Sequence, residues 1–374
     1  MSTIYIHWPF CVSKCHYCDF NSVACSESID FDNWLESYKT VLHKFHQEFY
    51  KQEDITSVYF GGGTPSLLPV SFVEGLLNDI SEKFRLTSDA EITLEANPKT
   101  IDINKAVGLR DAGINRLSVG VQSLIGADLK ILGRIHSAKD AIDCVHQMSG
   151  IFNNLSIDMI YNRPQQQLAN WRDELKAALK LPITHISLYE LIVEDDTPLK
   201  AMIESGELEM PVSGSEFMEE SMMSAEANEF HQYEISNFSK DGFQGKHNLS
   251  YWNYEDYYGI GPGAHSRITR DGQKIAIPQV NDIKKWLEWV SKSIFNLEIL
   301  SEDDVFKEMS IMGLRSSCGL DATKVSESVK KRYRLNDKLE KLLESSYIIF
   351  DEGKIVLTRE GMLRLNLVVE YLVS

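Results

Sequence analysis

The run Thr3-Ile4-Tyr5-Ile6-His7-Trp8-Pro9-Phe10-Cys11-Val12-Ser13-Lys14-Cys15-His16-Tyr17-Cys18 begins as an apolar strand and empties into a loop carrying three cysteines. Cys11, Cys15 and Cys18 stand in C-x3-C-x2-C spacing. Three thiolates on one short loop suit three corners of a [4Fe-4S] cluster, whereas fully ligated clusters of the ferredoxin type take four cysteines. The fourth iron is then left open to a small molecule, which separates a reactive metal site from a structural one. A structural zinc is the alternative reading, with His7 or His16 as its fourth ligand.

Outward from this loop, strand and helix alternate. Strand patterns over Thr3–Trp8, Ser57–Phe60, Glu91–Ala96, Arg116–Gln122, Ser156–Tyr161 and His185–Ile192 are each followed by a helical period: Phe31–Tyr50, Val70–Phe84, Asn104–Ala112, Ala138–Met148, Leu168–Leu181 and Ser215–Phe230. Six βα units in succession imply right-handed crossovers and a parallel sheet. The fold class expected is α/β, a partial (β/α)6 TIM-type barrel with a mainly helical, winged-helix-like C-terminal domain. A flat doubly wound sheet is disfavoured, because no Gly-x-Gly-x-x-Gly turn follows the first strand. Cys11, the glycine turn Gly61-Gly62-Gly63-Thr64, Glu95, Gln122 and Asp158 fall at or just past the C-terminal ends of successive strands. In a barrel that rim carries the chemistry. The expected division is 1–240 as barrel, 241–294 as an aromatic, glycine-rich connecting region, and 295–374 as an accessory domain. Within the last, Tyr347–Phe350 and Lys354–Leu357 are expected to pair as a hairpin before a helix over Glu360–Leu372.

The 374 residues allow one large domain and a smaller one. A net charge of −17 argues against a nucleic-acid surface, which needs clustered Lys and Arg. The remaining cysteines, Cys25, Cys144 and Cys318, are scattered, unlike a disulfide framework. No signal-peptide pattern precedes the first strand, and no apolar run approaches a membrane span. The expected location is the reducing cytoplasm, or its membrane periphery through a partner.

The cysteine spacing at the head of a βα barrel resembles the radical S-adenosylmethionine superfamily. Tyr5–Cys11, Phe60–Pro65, Gly120-Val121-Gln122-Ser123 and Ile157-Asp158-Met159-Ile160-Tyr161 together resemble the HemN/HemW family, over most of the chain. That resemblance implies a [4Fe-4S] cluster on Cys11, Cys15 and Cys18. It implies S-adenosylmethionine bound among Tyr5, Tyr17, Gly62, Gly63, Thr64, Glu95, Gln122, Arg134 and Asp158. Glycines there let backbone approach a ligand and offer N–H donors. Carboxylates suit ribose hydroxyls, and Arg suits a carboxylate.

The family contains oxygen-independent coproporphyrinogen III dehydrogenases and heme chaperones. The dehydrogenases carry a further cysteine two residues after the third, where this chain has Phe20, and a longer segment before the cluster loop. His247-Asn248-Leu249-Ser250-Tyr251-Trp252 resembles the H-N-x-x-Y-W motif of the chaperone branch, which makes His247 a candidate heme ligand and His265 a second one. A hydrogen-bonded loop anchor is the structural reading of the same histidine. The function expected is heme binding and delivery to a client, a membrane-bound respiratory protein. The cluster would support transfer or homodimerisation, with an unidentified electron donor. Anaerobic coproporphyrinogen III oxidation in porphyrin biosynthesis is the alternative, so enzymatic turnover stays an open question at this stage.

Overall fold

The computed structural model describes every residue except 26–27 and 293–294. Six strands run in chain order: β1 (Ser2–Trp8), β2 (Asp54–Gly62), β3 (Arg85–Ala96), β4 (Arg116–Gln122), β5 (Asn154–Tyr161) and β6 (His185–Glu190). All are parallel, and each pairs with the next. Because the order never reverses, every crossover helix lies on the same face, and the sheet curls around its other face as part of a barrel. A doubly wound sheet would reverse direction at a switch point.

The period of two along each strand sorts the residues. On β1, Ile4, Ile6 and Trp8 join a continuous core with helix residues such as Trp34, Tyr38, Val73 and Leu76. The intervening Thr3, Tyr5 and His7 face the lumen. The same alternation aims Ser57, Tyr59 and Gly61 of β2 inward, then Glu91, Thr93 and Glu95 of β3, Arg116 and Ser118 of β4, Ser156 and Asp158 of β5, and His185 and Ser187 of β6. The lumen is therefore polar, and its apolar counterpart is the helix-covered outer face.

The sheet continues beyond the six strands. β7 (His231–Glu234) and β8 (Asn237–Ser239) extend it antiparallel past β6. On the other side β9 (Asp256–Ile260) adds a parallel strand against β1, followed by the antiparallel β10 (His265–Arg270), β11 (Gln273–Pro278) and β12 (Glu298–Ile299). Sequence reading took 241–294 as a connecting region. In the structure Tyr258, Ile260, Ile268, Ile275, Ile277 and Trp286 of that stretch belong to the barrel's own core. The glycines that suggested a loop serve close packing: a Cβ on Gly259 would meet the His265 carbonyl at 2.0 Å. The expected boundary at residue 294 falls outside the described residues.

A second core runs from Phe306 to Leu372. It holds helices such as Glu302–Gly313 and Leu335–Glu344 around a three-stranded sheet of Leu320–Asp321, Lys354–Leu357 and Ile348–Asp351. The expected hairpin forms, with Glu352 and Gly353 at positive φ in its turn. The final helix is instead two, Arg359–Met362 and Leu365–Val373. Glu308 ties this unit to the barrel, accepting from Tyr254 Oη at 2.6 Å and from Arg267 Nη2 at 2.7 Å.

Candidate functional site

At the C-terminal ends of the barrel strands the structure opens a cavity of about 430 Å³. Cys11, Cys15 and Cys18 line it together with Tyr17, Gly62, Gly63, Thr64, Glu95, Gln122, Arg134 and Asp158. Of the cofactor and heme candidates read from the sequence, Tyr5, His247 and His265 do not line this cavity.

The cysteine loop is held at both ends. Phe10–Cys11 pairs with Val23–Ala24, and Cys25 N donates to Cys11 O at 2.8 Å. At mid-loop His16 N donates to Leu132 O at 3.1 Å, while His16 Nδ1 lies 2.8 Å from Ile131 O. Gly133, at φ +71°, makes this approach feasible, since a Cβ there would sit 2.7 Å from the His16 ring. His7 is not free to cap a zinc: its two nitrogens are engaged by Tyr5 Oη at 3.0 Å and Asn21 O at 2.9 Å. Among the described residues no trio of metal-binding side chains converges on a point suited to a single ion. The three cysteines share one cavity, and a cluster would take them at separate iron corners. Burial pushes the Cys11 and Cys18 thiols above their ordinary range.

The glycine turn works differently from the expectation. Gly63 N donates to Trp8 O at 2.6 Å and Thr64 N to Phe10 O at 2.9 Å, so these N–H groups are already spent on backbone. What the turn supplies is room. A Cβ on Gly63 would stand 3.0 Å from Cys11 Sγ, and Gly62 holds φ +108° against the His7 ring.

Carboxylates line the opposite wall. Tyr59 Oη donates to Glu95 Oε1 at 2.8 Å. Burial, reinforced by the nearby charge of Asp158, lifts the Glu95 carboxyl to about 7. Asp158 is likewise raised by burial, although Ser118 Oγ donates to it at 3.2 Å and Ser187 bonds it as well. Arg134 Nη1 lies 3.2 Å from Cys15 Sγ and Nη2 donates to Gly120 O at 2.8 Å, while its buried Nε has no hydrogen-bond partner among the described residues. Gln122 turns off β4 at φ +67°, a conformation rare for a non-glycine residue and placed here on the cavity wall.

The family model described as "Radical SAM superfamily" matches residues 5–177, and that of the "HemN C-terminal domain" matches residues 300–364. The chain is 33% identical to "Heme chaperone HemW" of Bacillus subtilis, covering 97% of each chain. The chain belongs to the HemN/HemW family of radical S-adenosylmethionine proteins. It is 36% identical to the Escherichia coli protein of that name over 71% of this chain and 70% of the other. A zebrafish (Danio rerio) relative, "Radical S-adenosyl methionine domain-containing protein 1, mitochondrial", is 32% identical over 98% of this chain and 85% of its own. In fold the chain resembles the solved Escherichia coli coproporphyrinogen III oxidase, HemN, with a TM-score of 0.83 at 20% identity, over 100% of this chain and 90% of that one. Membership in this family implies a [4Fe-4S] cluster and S-adenosylmethionine.

The HemW-type motif lies elsewhere. Helix Lys246–Trp252 plugs the N-terminal end of the barrel, with His247 only 2% exposed. Its Nδ1 is 2.8 Å from Ser57 Oγ, and its buried Nε2 has no hydrogen-bond partner among the described residues. Burial, with Arg116 nearby, holds the imidazole neutral, down at about 3. In this arrangement neither nitrogen is open to a ligand. His265 is exposed on β10, lines a different hollow together with Arg267, and is not part of the cysteine cavity. Sequence reading missed Tyr59, Ser118 and Ser187, which hold the two cavity carboxylates. The signal was present as polar residues at every second position of apolar strands.

Proposed function

We propose that this protein is a heme chaperone that carries a [4Fe-4S] cluster and S-adenosylmethionine and passes heme to a client. Cys11, Cys15 and Cys18 would hold the cluster. Tyr17, Gly62, Gly63, Thr64, Glu95, Gln122, Arg134 and Asp158 would surround S-adenosylmethionine, with Tyr5 packed beneath them. The carboxylates are placed for ribose hydroxyls, and Arg134 for the methionyl carboxylate. When bound and reduced, such a cluster supplies one electron to the sulfonium. The protein's own part is to orient the ligand and shield it from water.

The observation that carries this reading is the full-length similarity to proteins named heme chaperones, 31–33% identical over at least 96% of this chain in three bacteria. The mouth of the cavity supports it. Phe20, 60% exposed, stands where a dehydrogenase of the family would have a cysteine, and Ile192, 66% exposed, lines the same cavity. Such an apolar rim suits the plane of a porphyrin better than it suits water. His247 would serve as heme ligand only if helix Lys246–Trp252 left the barrel floor. With a net charge of −17 and no helix among the described residues long and apolar enough to cross a membrane, a cytoplasmic protein that meets its client at the membrane surface fits the reading.

The test is a side-by-side anaerobic assay of reconstituted protein with heme and with coproporphyrinogen III. The expected result is a saturable Soret shift with heme and no protoporphyrinogen. Turnover of coproporphyrinogen III would replace the chaperone reading with the oxidase one.

A further inference from the structure

The motif helix faces the substrate cavity from below, through two layers of inward side chains. Its first N–H groups are fixed to β3: Lys246 N and His247 N donate to the two oxygens of Glu91, at 3.1 and 3.2 Å. His247 then meets β2 twice. Nδ1 bonds Ser57 Oγ, and the ring stacks on Tyr59 with centroids 4.9 Å apart and planes 25° from parallel. Tyr251, one turn on, closes against the His247 ring edge at 4.8 Å and 88°. Ser57 and Tyr59 are consecutive inward positions of one strand, so His247 clamps both. Tyr59 reaches upward with its hydroxyl on Glu95 Oε1 at 2.8 Å. Asn248 begins a parallel path under the other carboxylate. Its Nδ2 donates to Tyr233 Oη at 3.3 Å, which lies 2.8 Å from His185 Nε2, and His185 Nδ1 bonds Ser156 Oγ at 2.7 Å. Ser156 and His185 sit two residues before Asp158 and Ser187 on β5 and β6.

We propose that His247 is a positioning residue for the S-adenosylmethionine site: it seats Tyr59, which aims the Glu95 carboxylate into the cavity. This rests on the reading of that cavity given above. A stacked, hydrogen-bonded ring restricts the Tyr59 side chain to one rotamer, so its hydroxyl is delivered to Glu95 without further loss of rotamer freedom. Without the clamp, Tyr59 gains freedom and Glu95 loses its fixed donor. The motif then acts on the cluster side of the barrel from its far end, rather than by touching iron.

The experiment compares full-length, anaerobically reconstituted wild type with Tyr59→Phe, His247→Leu, His247→Asn and the Tyr59→Phe/His247→Leu double variant. S-adenosylmethionine affinity is read from its perturbation of the reduced cluster's electron paramagnetic resonance signal, and heme affinity from the Soret band. Loss of one buried hydrogen bond corresponds to roughly a 5- to 10-fold weakening, expected for Tyr59→Phe and for His247→Leu. The double variant is expected to be no weaker than the worse single one, because both remove the same link. His247→Asn, whose amide can reach Ser57, is expected to recover part of the affinity, and heme titration should stay that of wild type throughout. If His247→Leu does not fold, Tyr59→Phe and His247→Asn carry the comparison. Unchanged S-adenosylmethionine affinity in these two overturns the proposal, as do additive losses in the double variant or loss of heme binding alone. Wild type that binds no S-adenosylmethionine would instead overturn the functional reading beneath it.

Discussion

Arg134 and Cys15 are in direct contact: the guanidinium Nη1 lies 3.2 Å from the thiol sulfur. One residue thus borders both the metal-binding loop and the space beside it. Arg134→Met keeps the length of the side chain and removes its charge. S-adenosylmethionine affinity is expected to fall about 10-fold or more, because a charge-assisted bond to the ligand is lost. Iron content is expected to persist. Equilibrium binding with parallel iron analysis checks both halves.

Cys15→Ala removes one of the three thiols of the loop. Reconstituted wild type is expected to hold about four irons per chain and the variant to lose them. Iron and sulfide determinations decide it, and a zinc-loaded, iron-free protein would refute the cluster assignment.

Burial pushes the Glu95 carboxyl up to about 7. A carboxylate accepts from ribose hydroxyls, whereas its protonated form offers a poorer acceptor. S-adenosylmethionine affinity is therefore expected to weaken as pH falls below about 7 and to be weak but flat with pH in Glu95→Gln. Titrations across that range measure the difference.

Beneath the rim, Arg163 and Glu174 form a buried ion pair, 1% and 5% exposed. Arg163 also reaches Asp128 at 2.9 Å and the Gln122 carbonyl at 3.2 Å, while Glu174 accepts from Ser123 Oγ at 2.6 Å. Glu174→Ala leaves the buried Arg163 guanidinium with Asp128 but without its shorter carboxylate contact, and frees the turn after β4. The expected cost is about 3 kcal/mol of stability, the lower end for a broken buried pair because Asp128 stays, read from denaturant midpoints.

Acid is expected to unfold the protein through its lumen. His247 titrates at about 3 when folded against 6.5 ordinarily, and His185 is also pushed well below its usual range by burial. Between those values the unfolded chain binds protons that the folded chain refuses, so stability falls as pH drops below 6.5. Glu95 acts oppositely: raised from 4.5 to about 7, it favours the folded state at the acid side of that window. His247→Asn is expected to lose less stability than wild type between about pH 7 and about pH 5, which denaturant midpoints at both values would show.

The barrel was legible because each outward strand face is an unbroken set such as Ile4, Ile6 and Trp8, and each crossover helix has its own apolar stripe. The cavity residues were legible because strand ends carry them. β9 was not, since Gly259, Gly261 and Pro262 punctuate it as a loop would, and its pairing with β1 depends on residues more than two hundred positions away. Tyr59 was hidden for a related reason. A tyrosine on a strand reads as core, and its hydroxyl acquires meaning only when β3 sets Glu95 beside it. The His247 environment depended on the closing helix, which no local periodicity locates.

Glu308 grips Tyr254, two residues beyond the helix that stoppers the barrel, and Arg267 on β10. Any tilt of the C-terminal lobe must either snap this grip or drag the stopper with it. A mechanical handle on the outside of the molecule is thereby geared to the innermost packing beneath the nucleoside-sized chamber.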